Sequence, residues 1–261
     1  MYFACELSRL WLIADFDGTL TQFYRHGQHT PSLTHVLRSQ WYLSESFTQE
    51  SQKLYEIYKP LESDPNLTLA EKSRLMTKRY TLNKKLLIAE RLHRSHIQEV
   101  AQSDILQLRV WHQKFFEYIR LHQIPLIIMS ASWLWYDAIY AYLVYRGLRS
   151  DQIHIISNQC IWDSDGYMID FVEPLIHPFN KHASHIIQDP CYADLTERKD
   201  ILLLGNMITD LQMSEWLSYD RQYTVAWCET QEELGWFQEH FDLVIWDDGP
   251  MDPVNQRLWA V

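Results

Sequence analysis

The 261-residue sequence predicts an α/β fold, a mostly parallel sheet core with a helical cap inserted after the first strand. Two observations carry this. A buried-strand pattern over "RLWLIADFDGTLT" is followed by roughly 75 residues of helical pattern, and strands and helices then alternate to the C-terminus. A third agrees with them: 7 glycines against 11 Trp and 15 Tyr favour long helices and aromatic packing over loop-rich architecture.

Each element has its own signal. The first strand ends at Asp15. Phe47, Leu54, Tyr55 and Tyr58 recur at helical spacing, and Pro60 is expected to close that helix. "TLAE" (68–71) is a capping box that starts helical sequence reaching, with a break, to about Val100. Asp104 is expected to cap a helix with Leu108, Trp111, Phe115 and Ile119 on its apolar face. "IPLIIMS" (124–130) and "IHIIS" (153–157) read as strands around a helix ending near Gly147, and "SDG" (164–166) as a hairpin turn. "NKHASHIIQ" opens a helix; "DILLLG" (200–205) is a strand leading to a helix near Thr209. "YTVAW", a second capping box "TQEE", "LVIW" and a helix entered at Pro253 complete the alternation.

A net charge of −11 argues against general nucleic-acid or anionic-membrane partners. The four cysteines, Cys5, Cys160, Cys191 and Cys228, are widely spaced, which favours a reduced cytoplasmic setting over a disulfide framework or zinc site. The apolar run 10–14 is too short for a signal peptide and leads straight into "DFDG".

In such a sheet a ligand binds outside the carboxyl ends of the strands. Asp15 and Asp17, Ser130, Lys181, and Asn206 with Asp210 all fall there. A carboxylate can attack phosphorus and carry it covalently, and a second carboxyl two residues later can serve as acid and then base. A hydroxyl, backbone N–H groups and a lysine balance phosphoryl charge, and a hard cation takes oxygen ligands. "DGT" after a strand is also an ordinary turn with a helix cap, and a lone Ser or Lys is usually structural. The order of all four, each at its own strand end, favours a phosphoryl-transfer site.

"DFDGTLT", "MSA", "NKH" and "LLLGNMITD" resemble the four motifs of the haloacid dehalogenase superfamily. "LESDPNLTLAEK", "SDILQLRVWHQKFFEYI", "IHIISNQ" and "LIHPFNKH" resemble its cytosolic pyrimidine 5′-nucleotidase branch. The resemblance implies a Rossmann-like core (1–30 and 104–261) and a substrate-specifying cap (31–103). It implies a Mg²⁺-dependent hydrolase of nucleoside 5′-monophosphates, pyrimidines favoured. Asp15 would be the nucleophile and Asp17 the acid/base; Ser130, Ala131 and Lys181 would hold phosphate. Asp15, Asp17, Asn206 and Asp210 would surround the metal. Glu62 and Tyr80 would meet the base, although without the resemblance they read as a surface residue and cap core. Residues 66–99 carry eight Lys/Arg against three Asp/Glu, a set of solvated helix faces or, in part, an inward basic surface toward an anionic substrate.

Three positions depart from the family pattern. Asn206 stands where an aspartate ligates the metal, Ser132 where glycine follows "SA", and Arg79 where an aromatic is common. The alternatives to an active enzyme are therefore a catalytically silent nucleotide-binding member of this fold, or one engineered to be inactive.

Overall fold

The structure, a computed structural model, describes residues 6–30, 36–37, 42–104, 106–132 and 135–259. Cys5 and the expected start of the cap at residue 31 lie outside them.

Six strands form the main sheet: β1 (Leu10–Ala14), β4 (Leu126–Ser130), β5 (Ile153–Ser157), β8 (Asp200–Gly205), β9 (Arg221–Cys228) and β10 (Leu243–Trp246). Two small hairpins account for β2 (Tyr24–Arg25) with β3 (Gln28–His29), and β6 (Cys160–Trp162) with β7 (Met168–Phe171). The main sheet runs β10-β9-β8-β1-β4-β5 with every pairing parallel. The chain lays β4 and β5 on one side of β1 and β8 to β10 on the other, so the order reverses at β1. A crevice opens there between the loops after β1, β4 and β8.

β1, β4 and β8 are buried along their whole length, which is why they read as continuous apolar runs. Alternate residues serve the two faces. Leu12, Ile128, Leu202 and Trp227 belong to one core, and Ile13, Met129, Leu203 and Ala226 to the other.

The insertion contains α1 (Glu45–Ser63), α2 (Leu69–Ala89) and α3 (Arg94–Ala101). Ser44 caps α1 by accepting from the Phe47 N–H, and the Thr68–Glu71 box caps α2 as expected. Pro60 does not end α1, which continues to Ser63. Near the last turn the missing N–H costs one bond, and Tyr58 and Leu61 hold the helix against Met76 in a small core shared with Phe179. α3 packs instead on α5 (Trp135–Tyr145) in the main core.

The helix expected from Asp104 begins only at His112, as α4 (His112–Leu121). Residues 107–109 run extended beside β1's loop, where the Gln22 N–H donates to Gln107 O (2.9 Å) and the Arg109 N–H to Leu20 O (3.0 Å). Trp111, left-handed at φ 70°, then turns the chain into the helix. The region near Thr209 is a 3-10 helix, Ile208–Ser214, and Thr230 donates to the Glu233 carboxylate (2.7 Å) without closing a reciprocal box. Among the described residues no helix is long and apolar enough to cross a membrane.

Candidate active site

The loop after β1 is set by its glycine. Gly18 sits at φ +74°, and a Cβ there would lie 2.6 Å from Asn206 Nδ2 and 2.7 Å from the Phe23 ring. Only glycine gives both the turn and this close approach. The turn brings Thr19 back onto Asp15: its hydroxyl donates to Asp15 Oδ2 at 3.1 Å and lies 3.4 Å from Asn206 Oδ1.

Lys181 is the electrostatic centre. Its Nζ donates to Asp15 Oδ1 at 2.5 Å and to Asp210 Oδ1 at 2.8 Å, and its side chain is 3% exposed. The other Asp210 oxygen accepts the amides of Asn206 and Met207, each at 3.0 Å. Asp210 therefore joins the lysine to the loop after β8. Burial pushes Asp15 up to about 7; Lys181 pulls it down, while Asp210 and Asp17 push it further up. Burial also raises Asp17, against a hydrogen bond from Ser132 and the charge of Lys181.

The loop after β4 supplies the other wall. Ser130, 1% exposed, accepts the Ser132 N–H on its hydroxyl (3.2 Å) and the Ser157 hydroxyl on its carbonyl (2.9 Å). The Ser132 hydroxyl donates to the Asp17 carboxylate. Asn158 ties this loop to the lysine segment: its Nδ2 donates to Ser132 O and Ile176 O, both at 2.9 Å, and its Oδ1 accepts the Ile176 N–H at 2.7 Å.

From the insertion, Tyr80 reaches down and donates to Ala131 O at 2.9 Å, with its ring edge-on to His177. Arg79 lines the same cavity, and Glu62 sits behind it, ion-paired to Arg79 and to Lys59 at 2.9 Å. The cavity measures about 260 Å³ and brings together Asp15, Asp17, Ser130, Ala131, Lys181, Asn206, Asp210 and Tyr80. Glu62 is the one expected site residue outside its lining.

A hard divalent cation fits the donors in kind. The Asn206 amide oxygen lies 3.4 Å from the Thr19 hydroxyl, which donates to Asp15, and its nitrogen faces Gly18, so Asn206 offers an oxygen with one negative charge fewer than an aspartate would supply.

The profile of the pyrimidine 5′-nucleotidase (UMPH-1) family matches residues 18–261. The chain belongs to this family. Curated relatives include the 7-methylguanosine phosphate-specific 5′-nucleotidases of Gallus gallus (28% identical, covering 96% of this chain and 87% of that protein) and Mus musculus (29%, 96% and 84%). The crystal structure of cytosolic 5′-nucleotidase IIIB bound to cytidine superposes with a TM-score of 0.86 at 26% identity, covering 97% of this chain and 86% of that one. A phosphoserine phosphatase captured as a phospho-aspartyl intermediate analogue shares the fold (TM-score 0.53, 13% identity, 95% of this chain and 97% of that one). The family's haloacid dehalogenase-type architecture is thus the one built here around β1, β4 and β8.

Three contributors are not evident from local sequence. Thr19 lies inside "DFDGTLT", where a hydroxyl after the turn carries no signal of its own. Arg109 was visible as one cation in the apolar run "LQLRVWH". Asn158 lies in "IHIISNQ", where nothing local shows which distant groups its amide reaches.

Proposed function

We propose that the chain is a Mg²⁺-dependent phosphomonoesterase that hydrolyses nucleoside 5′-monophosphates, pyrimidines favoured, through an aspartyl-phosphate on Asp15. The observation that carries this reading is the buried Asp15–Lys181–Asp210 arrangement opening, beside Asp17 and Ser130, into one cavity. The Asp15 carboxylate attacks phosphorus, and Asp17 protonates the departing 5′-oxygen. Asp17 then takes a proton from the water that cleaves the acyl phosphate, releasing phosphate and restoring Asp15. Lys181 and the Ser130–Ala131 loop hold the phosphoryl oxygens. Magnesium, held by Asp15, the Asp17 carbonyl and the Asn206 oxygen, with Asp210 behind them, would offset the charge on the transferring group.

A pyrimidine suits a cavity near the small end of the range for small-molecule sites. The 7-methylguanosine phosphate named for the curated relatives is the competing substrate. Asn206 favours a second reading, a nucleotide-binding member with little catalysis. The proposed setting is the cytoplasm, as for the cytosolic neighbour, and the three described cysteines are free and buried.

Phosphate release from UMP, CMP, AMP, GMP and 7-methyl-GMP, with and without Mg²⁺, tests the reading. Metal-dependent release, greatest for UMP and CMP, is expected. No release from any nucleotide, by this chain or its Asn206→Asp variant, would overturn it.

A further inference from the structure

Arg79 occupies the wall of the cavity next to Tyr80, whose hydroxyl is anchored on Ala131 of the phosphate-side loop. A base attached to a phosphate held near Asp15 and Lys181 therefore has Arg79 as a neighbour. The side chain is fixed from several sides. Glu62 pairs with its Nη1, Met76 Sδ lies 3.9 Å from the same nitrogen, and the guanidinium stands 5.6 Å from the Tyr55 ring centroid. Its side chain is 14% exposed and that of Glu62 17%, so solvent screens the pair poorly.

The charges in this corner do not cancel. Glu62 is shared between Arg79 and Lys59, which leaves two cations on one carboxylate. Glu62 is thereby engaged by two cations and is not part of the cavity lining. Arginine offers donors and no acceptor, and Nη2 makes no hydrogen bond among the described residues.

We propose that Arg79, held in place by Glu62, makes the base end of this cavity selective for neutral nucleobases presenting a carbonyl or ring-nitrogen acceptor, and rejects bases that carry a fixed positive charge. This rests on the nucleotide reading above and extends it to the chemical class of the base. Uracil and cytosine present such acceptors; an N-methylated cationic base brings a like charge against a fixed guanidinium. Arg79 is the specificity-determining group, and Glu62 is a positioning residue acting through it.

Nucleoside binding, followed calorimetrically, reads the base end whether or not phosphate is released. The probes are 3-methylcytidine, a cation at neutral pH, against its neutral isomer 5-methylcytidine, and 7-methylguanosine against guanosine at mildly acidic pH. The unsubstituted protein is expected to bind the neutral member of the pyrimidine pair at least about tenfold more tightly, a typical size for one uncompensated like charge at a partly desolvated site. Arg79→Gln narrows that ratio several-fold, and Arg79→Lys, which keeps the charge, preserves it. Glu62→Gln frees the guanidinium and weakens 5-methylcytidine binding, an effect that disappears in the Arg79→Gln background. Equal binding of cation and neutral isomer, a ratio untouched by Arg79→Gln, or no nucleoside binding would each overturn the proposal. Nucleoside selectivity without phosphate release would instead count against the catalytic reading alone.

Discussion

The Ser132 hydroxyl donates a hydrogen bond to the Asp17 carboxylate, joining the loop after β4 to the loop after β1. The glycine that the motif resemblance implies at this position would have no hydroxyl to donate. The bond holds the carboxylate proposed as acid/base from the Ser132 loop, which Asn158 steadies through Ser132 O. A hydrogen bond to a charged group is worth about 1.5–3 kcal/mol. Ser132→Ala is accordingly expected to lower kcat by roughly tenfold with KM changed less than about threefold. Steady-state kinetics on UMP decide it; an unchanged kcat would leave the bond without a catalytic purpose.

Asn206→Asp restores a charged oxygen beside Asp15. Hard cations favour such ligands, so the Mg²⁺ concentration for half-maximal activity is expected to fall by about tenfold or more. A metal titration in which the two proteins coincide would show that the amide already suffices.

Tyr80 has two possible roles, since its ring lines the cavity while its hydroxyl bonds Ala131. Tyr80→Phe keeps the ring and is expected to weaken nucleoside binding by no more than about fivefold, whereas Tyr80→Leu weakens it by about tenfold or more. Similar losses in both variants would assign Tyr80 to the link between insertion and core alone.

Arg109 is fully buried, donating to Gly18 O (2.5 Å), Thr19 O (2.7 Å) and Gly249 O (3.2 Å) between the Phe23 and Trp227 rings. Its ion-pair partner is Asp248 at 3.4 Å. Arg109→Met leaves these carbonyls and the carboxylate without a donor and is expected to cost about 3–5 kcal/mol in urea unfolding. Arg109→Lys keeps charge but not the fork and should fall between. A wild-type midpoint for Arg109→Met would refute this account of the loop.

His177 is held neutral: the Phe179 N–H donates to Nδ1 at 3.2 Å, and Thr77 Oγ1 lies 3.0 Å from Nε2. Burial, then the charges of His182 and His185, lower its pKa from 6.5 to about 4. The folded value lies below the unfolded one, so this contribution is complete above 6.5 and is lost as pH falls toward 4. The Tm of the metal-free protein should drop across that window, and His177→Asn, which retains an acceptor for Phe179, should drop less. Identical pH profiles would exclude His177 as a source of the loss.

Much of the site was legible in the sequence because its signals are local. A buried parallel strand is an apolar run, and the residue after it is at the sheet's carboxyl edge. That logic places Asp15, Ser130 and Asn206 before any coordinates are known, and the capping box at Thr68 and the turn at Gly166 are equally local. What the tertiary structure alone decided are relations across long stretches of chain. Ser132 meets Asp17 from 115 residues away, Arg109 reaches Thr19 from 90, and Lys181 reaches Asp15 from 166. Pro60 stays inside its helix, and α4 starts late, because packing and pairing with distant residues outweigh the local preference. The Glu62–Arg79 pair was hidden for the same reason: a carboxylate's nearest cation depends on which helices lie side by side, and periodicity along one helix does not encode that.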